Sequence, residues 1–345
     1  MQRLLGTSVI ELDLERAPPL GPETYVPRVT NEGRPVEDRI RTKLLRDRAI
    51  FLDGPELSGK TSTLTAALSG WDGGAPFPVT PERWFTLDLR KHRTAHSKDV
   101  ALALSRAVSA TGLELRHVLA ATSRQGAAVI VLDHFDDHYG TEGADDLLIA
   151  LNNDWVYGTG ARASRENAVY IVVMTAAARG DYFDRERCVS IQDLQTPDAL
   201  QPLLKRFGTD WTPSDCAAVF SRIGGHVGTV SWLAMHASDS SGLAAATSDG
   251  GILGRLLFEH RNWFSTLDER EVNGLRDLVR NGTSFPFSSQ RASQMSRHAA
   301  STQTSTDARY AGCKLVSKGV LEYARPATIR YGIFQQMVRQ MFPPL

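Results

Sequence analysis

Residues 54 to 62 read Gly54-Pro55-Glu56-Leu57-Ser58-Gly59-Lys60-Thr61-Ser62 and follow the apolar run "AIFLD". The spacing satisfies G-x-x-x-x-G-K-[ST] without a deviation, in the strand-to-helix setting the motif requires. Its chemistry dictates the residue types. Glycines let backbone N–H groups curl around a phosphate, and a helix starting at the end of the loop adds its partial positive charge. A lysine reaches the β and γ oxygens, and a threonine hydroxyl holds magnesium. This stretch predicts a site for ATP or ADP with Mg, with Lys60 on the phosphates and Thr61 on the metal.

The second group is "AAVIVLDHFDDH", residues 127 to 138. By itself it reads as a metal cluster or as a core strand running into a polar loop. Beside a phosphate loop it acquires a geometry: a parallel strand ending in Asp133 at the carboxyl edge of a sheet brings its carboxylate to the Thr61-bound Mg. His134 stands where hydrolytic ATPases often keep a glutamate. An imidazole can accept a proton, but it is partly protonated near neutrality and lacks the carboxylate's charge, so slow hydrolysis is expected. Asp136 and Asp137 are further candidates for orienting the attacking water, each also readable as a solvated loop acid. A transition-metal site built on His134, Asp137 and His138 would need another convergent ligand, to which the sequence does not point.

"NAVYIVVMTAAARG" repeats the pattern of an apolar strand with a polar end. Thr175 then falls at the same sheet edge, where it either hydrogen-bonds the γ-phosphate or its water or acts as a cap. Arg179 either senses the γ-phosphate charge or is a surface arginine, the simpler reading.

The elements that must position these groups alternate. "AIFLDG", "WFTLDLR", "AAVIVLD", "AVYIVVM" and "CVSIQ" read as strands, most of them apolar throughout and so buried on both faces. Helical patterns lie between them in "STLTAAL", "SKDVALALSRAVSATG" with "ELRHVLAATS", and "GADDLLIALNND". The expected class is α/β: a parallel P-loop NTPase sheet with helices on both faces, followed by a small helical lid domain and a C-terminal winged-helix domain. Boundaries fall at 1–47 for an N-terminal segment with "SVIELDL", a proline-rich stretch and a helix over "PVEDRIRTKLLRDR". The nucleotide-binding domain is placed at 48–193, the lid at 194–239 and the winged-helix part at 240–345. Thr196-Pro197 and Thr212-Pro213 each set a capping hydroxyl before a first-turn proline. "SDSSGLAAATSDGGILG" marks a boundary that includes part of a helix, and "SSQRASQMSRHAASTQTSTDAR" reads as a polar loop or loosely packed helix.

The totals bound the rest. A chain of 345 residues with 42% hydrophobic content is long enough for several domains with real cores. Lysine plus arginine (39) cancels aspartate plus glutamate (39), so no global field favours nucleic acid or a membrane surface. Cys188, Cys216 and Cys313 are few and widely spaced, against a disulfide framework and for a reducing compartment. No signal-peptide or membrane-spanning run is present, and a cytoplasmic location is expected.

In order and type, these motifs resemble the AAA-like P-loop domains of the STAND class, signal-transduction ATPases with numerous domains that are widespread in bacteria. "ETYVPR" with its following helix is similar to the family's adenine-side segment, which implies Tyr25, Val26 and Arg28 as base-side contacts. "GPELSGKTS" and "VIVLDHFDD" stand as the two Walker motifs. "VSIQDLQTPDALQPLLKRFGTDWTPSDCAAVFSRIGGHVGTVSWLAMHA" resembles the helical lid with its Gly-Gly-His turn, which implies His226 as a nucleotide contact, a buried structural histidine being the other reading. The family commonly has proline after that histidine; Val227 stands there. "CKLVSKGVLEYARPATIRYGIFQQMVRQMF" is similar to a winged-helix end.

The resemblance implies an ATP-dependent switch in bacterial signalling or defence, with slow hydrolysis coupled to a separately encoded partner or effector, or to homo-oligomerisation. A DNA-associated ATPase of the initiator or transposition-regulator type is the alternative. Its winged helix would be served by Arg291, Arg297, Arg309, Lys314, Lys318 and Arg330; the neutral total charge does not favour it. A nucleotide-binding scaffold without turnover is the third reading.

Overall fold

The computed structural model describes residues 21–23, 25–30, 33–54, 58–92, 95–109, 112, 114–138, 141–151, 169–175, 185–225, 227–237 and 239–247, with strand pieces at 321–322 and 328–329. The expected strand "SVIELDL", Arg179, His226, the polar patch and nearly all of the C-terminal module lie outside the described residues. The chain divides into two compact units, Pro27–Gly54 with Lys60–Ile191, and Met1–Val26 with Pro55–Gly59 and Gln192–Leu345.

The first unit is a five-stranded parallel P-loop NTPase sheet with helices on both faces. In chain order it contains α1 (Val36–Asp47), β1 (Ala49–Asp53), α2 (Lys60–Ser69), β2 (Trp84–Asp88), α3 (Ser97–Ala107), α4 (Leu115–Arg124), β3 (Ala128–Asp133), α5 (Glu142–Ile149), β4 (Val169–Thr175) and β5 (Cys188–Ser190). All five expected strands form. Their spatial order is β2-β3-β4-β1-β5, which inserts β4 between the phosphate-loop strand and the acid strand.

Period-two alternation explains why the central strands are apolar at nearly every position. Ala49 and Phe51 of β1, Ile130 and Leu132 of β3, and Ile171 and Val173 of β4 join one core with Val100 and Leu104 of α3, Leu119 of α4 and Leu147 of α5. Ile50, Leu52, Val129, Val131, Val172 and Met174 point the other way, into a core with Ile40 and Leu44 of α1 and Leu64 and Leu68 of α2. Both faces are covered, so neither carries a polar row. Edge strand β2 is half exposed along most of its length.

A buried ion pair fastens α1 to the end of α2. The Arg41 guanidinium donates to Asp72 Oδ1 at 2.8 Å and Oδ2 at 2.6 Å, and to the Ala67 carbonyl at 3.1 Å. Its contact with Asp38 completes the clamp. Arg41 lies well above the ordinary arginine range chiefly because of Asp72, and Asp72 falls below the ordinary carboxylate range chiefly because of Arg41.

The second unit contains α6 (Leu200–Lys205), α7 (Pro213–Ile223), α8 (Val227–His236) and α9 (Ser240–Thr247). Thr212 caps α7 as expected: its hydroxyl accepts from the Asp215 N–H, and the Asp215 carboxylate accepts from the Thr212 N–H, before Pro213 in the first turn. Thr196 is a correction. Its Pro197 opens only a three-residue 3-10 turn, and the hydroxyl makes no capping bond. Buried Trp211 donates from Nε1 to the Ala237 carbonyl at 2.7 Å, tying the loop before α7 to the end of α8. The expected boundary segment is helical over its first part, α9. Near the C-terminus, β6 (Leu321–Glu322) pairs antiparallel with β7 (Thr328–Ile329).

Candidate nucleotide site at the carboxyl edge of the sheet

Four strand ends meet at one edge. Asp53 of β1 is the register partner of Thr175 of β4, and Asp88 of β2 is the partner of Asp133 of β3. Strand β4 bonds β3 on its other side, so Thr175 ends the strand between the two halves of the sequence motif. Thr175 is fully buried. Its carbonyl accepts from the Gly54 N–H at 3.2 Å, which fixes where the loop leaves β1. Asp53 accepts from the Ser190 hydroxyl at 2.8 Å, tying β1 to β5.

Lys60 is the first residue of α2, and its Nζ donates to the Gly54 carbonyl at 2.7 Å. The ammonium thereby reaches back to the residue just past the end of β1. Gly59 has φ +90°, a conformation glycine adopts without the Cβ penalty of other residues. Thr61 is exposed in the first helical turn, Ser62 is half-buried, and Ser58 is buried. Pro55, Glu56 and Leu57 lie outside the described residues.

Asp133 is oriented by the backbone of its neighbour. Its Oδ1 accepts the N–H of His134 at 2.8 Å, and its Oδ2 lies 3.6 Å from His134 Nε2. The backbone of His134 is left-handed, with φ +57°, and this folds the ring back toward the preceding carboxylate. Its charge also acts on Asp88. Burial pushes the Asp88 carboxyl up, but the Arg90 hydrogen bond, the Arg90 charge and the His134 charge together bring it below the ordinary range. Sequence reasoning missed Asp88, although "WFTLDLR" ends an apolar strand in an acid just as β3 does.

The 3-10 turn Phe135–His138 follows, anchored by fully buried Phe135. The side chains of Asp136 and Asp137 lie outside the description. His138 is buried with Nε2 2.9 Å from the Leu89 carbonyl, a structural bond between this turn and the one after β2. No group of three histidine, cysteine or acidic side chains converges as a metal site among the described residues. Magnesium is a different case. A hydroxyl at Thr61 and a carboxylate at Asp133 are the hard oxygen donors it takes, and it keeps several waters besides. With the Lys60 ammonium for phosphate oxygens, these residues fit a magnesium nucleotide.

Of the expected base-side residues, Tyr25 and Val26 are half-buried, and the Tyr25 N–H donates to the Gly21 carbonyl at 2.9 Å. Arg28 is buried. Its N–H donates to Glu37 Oε1 at 2.9 Å and its carbonyl accepts from Val36 N–H at 3.0 Å, which fastens the segment to the start of α1. Glu37, fully buried, was not singled out in the sequence. His226 is outside the described residues, but its two preceding glycines are within them. Gly224 ends α7 with φ +65°. A Cβ on Gly225 would collide with the Leu194 backbone, whose N–H donates to the Gly225 carbonyl at 3.0 Å.

A strand, a glycine loop and a helix opening with Lys-Thr, on a parallel sheet with an acid two strands away, define a P-loop NTPase fold. No protein-family model and no curated protein matches the chain. Solved structures do. The Walker-type ATPase of Pyrococcus abyssi aligns at 15% identity with a TM-score of 0.56, over 91% of this chain and 98% of that one. The Aeropyrum pernix ORC2 protein, in ADPNP–ADP complexes, aligns at 13% identity and a TM-score of 0.45, over 93% and 98%. A STAND protein of Pyrococcus horikoshii with a tetratricopeptide-repeat sensor aligns at 16% identity and a TM-score of 0.38, over 94% of this chain and 44% of its own length. At these identities the likeness is one of fold.

Proposed function

We propose that the protein is an ATP-binding molecular switch of the STAND/AAA type, with slow ATP hydrolysis coupled to a separately encoded partner or to homo-oligomerisation in bacterial signalling or defence. The observation that carries this reading is the sheet edge: Lys60 closing on Gly54, Thr61 in the first turn of α2, and buried Thr175 ending the strand between them and Asp133. The fold likeness to a Walker-type ATPase supports it.

In this reading the loop from Gly54 to Ser62 holds the phosphates, Lys60 binds their β and γ oxygens, and Thr61 and Asp133 hold magnesium. Magnesium held there would neutralise the charge of the phosphate oxygens. Thr175 orients the γ-phosphate or its water, and His134 with Asp136 stands in the place of a water-activating base. The His134 ring lies beside Asp133, with Nε2 3.6 Å from Oδ2, and it lacks the carboxylate of a water-activating glutamate. That supports slow turnover. The base-side roles of Tyr25, Val26, Arg28 and His226, the lid over 194–239 and the winged helix over 240–345 rest on the sequence resemblance. No described helix is long and apolar enough to cross a membrane, and a cytoplasmic location belongs to the same proposal.

The test pairs ATP binding and steady-state phosphate release with size measurement in ADP and in a non-hydrolysable ATP analogue. A change of assembly state or partner capture between the two nucleotides is expected. Absence of nucleotide binding by the wild type would overturn the reading.

A further inference from the structure

His138 is a buried polar side chain for which the phosphate chemistry has no use. It closes the 3-10 turn Phe135–His138 that follows Asp133 and His134. An imidazole taken out of water needs hydrogen bonds to offset its lost hydration, and Nε2 finds one at 2.9 Å, on the Leu89 carbonyl. A carbonyl oxygen can only accept, so Nε2 carries the proton. A ring nitrogen in that state is no metal ligand.

The bond joins three pieces of backbone. Leu89, fully buried, opens the 3-10 turn Leu89–Lys91 directly after Asp88, and its carbonyl also accepts from the His92 N–H at 3.0 Å, so both lone pairs are filled. The His138 carbonyl in turn accepts from the Thr141 N–H at 3.1 Å and from the Thr141 hydroxyl at 2.7 Å. Thr141 is the cap of α5, its hydroxyl accepting from the Ala144 N–H at 3.2 Å. His138 is therefore the junction of the turn after β2, the turn after β3 and the start of α5.

The segment from Asp133 to His138 is thus pinned at both ends, by the β3 ladder at one and by the Leu89 bond at the other. Between the pins His134 holds φ +57°, a conformation that a non-glycine residue keeps only where its surroundings impose it. In that conformation the His134 N–H donates to Asp133 Oδ1 at 2.8 Å. Phe135, fully buried, anchors the same turn, but burial of a ring is non-directional, whereas a hydrogen bond fixes an angle. His138 adds the directional restraint.

We propose that His138 is a positioning residue for the magnesium side of the nucleotide site: through the Leu89 carbonyl it holds the turn that keeps Asp133 oriented by the His134 N–H. The proposal rests on the reading of Asp133 as a magnesium ligand.

The test compares two amides in the full chain. His138→Gln places its N–H donor at the reach of Nε2, and His138→Asn stops at the reach of Nδ1, short of the Leu89 carbonyl. Affinity for a fluorescent, non-hydrolysable ATP analogue is titrated against magnesium. Loss of a residue that orients a metal ligand costs about 10- to 100-fold in metal affinity, so His138→Asn should need about tenfold more magnesium and His138→Gln should return to within about twofold of wild type. Affinity for the analogue without magnesium, set by the phosphate loop, should be equal in all three proteins. A merely structural role would lower the thermal midpoint of His138→Asn and leave its magnesium dependence unchanged. Nitrogen NMR of labelled histidine in the wild type should show a ring protonated at Nε2, absent from His138→Gln, whose signal shifts when magnesium joins the analogue complex. Equal magnesium dependence in wild type and His138→Asn, failure of His138→Gln to restore it, or a His138 signal blind to magnesium would each overturn the proposal. Wild-type protein that binds no analogue, or binds it without regard to magnesium, would instead remove the reading of Asp133, and this proposal with it.

Discussion

His134 Nε2 lies 3.6 Å from Asp133 Oδ2, and the N–H of the same histidine donates to Oδ1 of that carboxylate at 2.8 Å. The same residue thus donates its backbone N–H to one oxygen of its neighbour and lays its ring near the other, through a left-handed backbone at φ +57°. Asp133 is oriented by the residue that stands where a base would be needed.

His134→Glu is therefore expected to raise steady-state phosphate release. A well-placed general base contributes roughly 10²–10⁴-fold. Glutamate at a left-handed position costs about 1–2 kcal/mol and sits beside a like charge, so a gain of about tenfold is the realistic expectation. Equal, low turnover in wild type and variant would remove position 134 as the limit.

Lys60→Ala tests the phosphate loop itself. Hydrogen bonds to charged groups contribute about 1.5–3 kcal/mol, so affinity for ATP should fall roughly 10- to 100-fold, measured by calorimetric titration. Unimpaired ATP affinity would count heavily against the assignment. Asp133→Ala should instead weaken the magnesium dependence of binding.

The Arg41–Asp72 pair makes a stability prediction with a pH signature. Both side chains are nearly buried, 10% and 5% exposed, so Arg41→Met strands a carboxylate and should cost about 3 kcal/mol by denaturant unfolding. The folded-state Asp72 carboxyl lies below its unfolded value. Its contribution is thus full above about pH 4 and is lost as pH falls through the depressed value. Wild type and Arg41→Met should differ at neutral pH and converge in acid. A gap that persists unchanged in acid would mean that packing, not charge, holds α1 to α2.

Gly225→Ala should lower the thermal midpoint, because the added Cβ meets the Leu194 backbone and overpacking of this kind costs about 1–3 kcal/mol. An unshifted midpoint would show that the turn yields easily.

The sequence makes the strands legible because β1, β3 and β4 are buried on both faces, which leaves unbroken apolar runs such as "AIFLD" and "VYIVVM". It makes the loop legible because only certain residue types cradle a phosphate. Strand order is another matter: nothing in Val169–Thr175 says that it lies between β1 and β3, since parallel strands of similar composition exchange places at little local cost. Asp88 escaped notice for that reason, its meaning depending on register with Asp133. Thr196 misled because a threonine before proline marks a turn as readily as a helix start, and the helix that follows begins only at Leu200.

The insertion of β4 makes the sheet a ruler. Neighbouring strands lie about 4.8 Å apart, so the end of β1 and the end of β3 are gauged at about twice that by a strand that belongs to neither motif. A slip or tilt of β4 would move the gauge itself, carrying Gly54 through the Thr175 carbonyl and Asp133 through the β3 ladder in the same motion. The residues with leverage over the span are then the silent apolar ones, Tyr170 to Met174, where no chemistry would lead one to look.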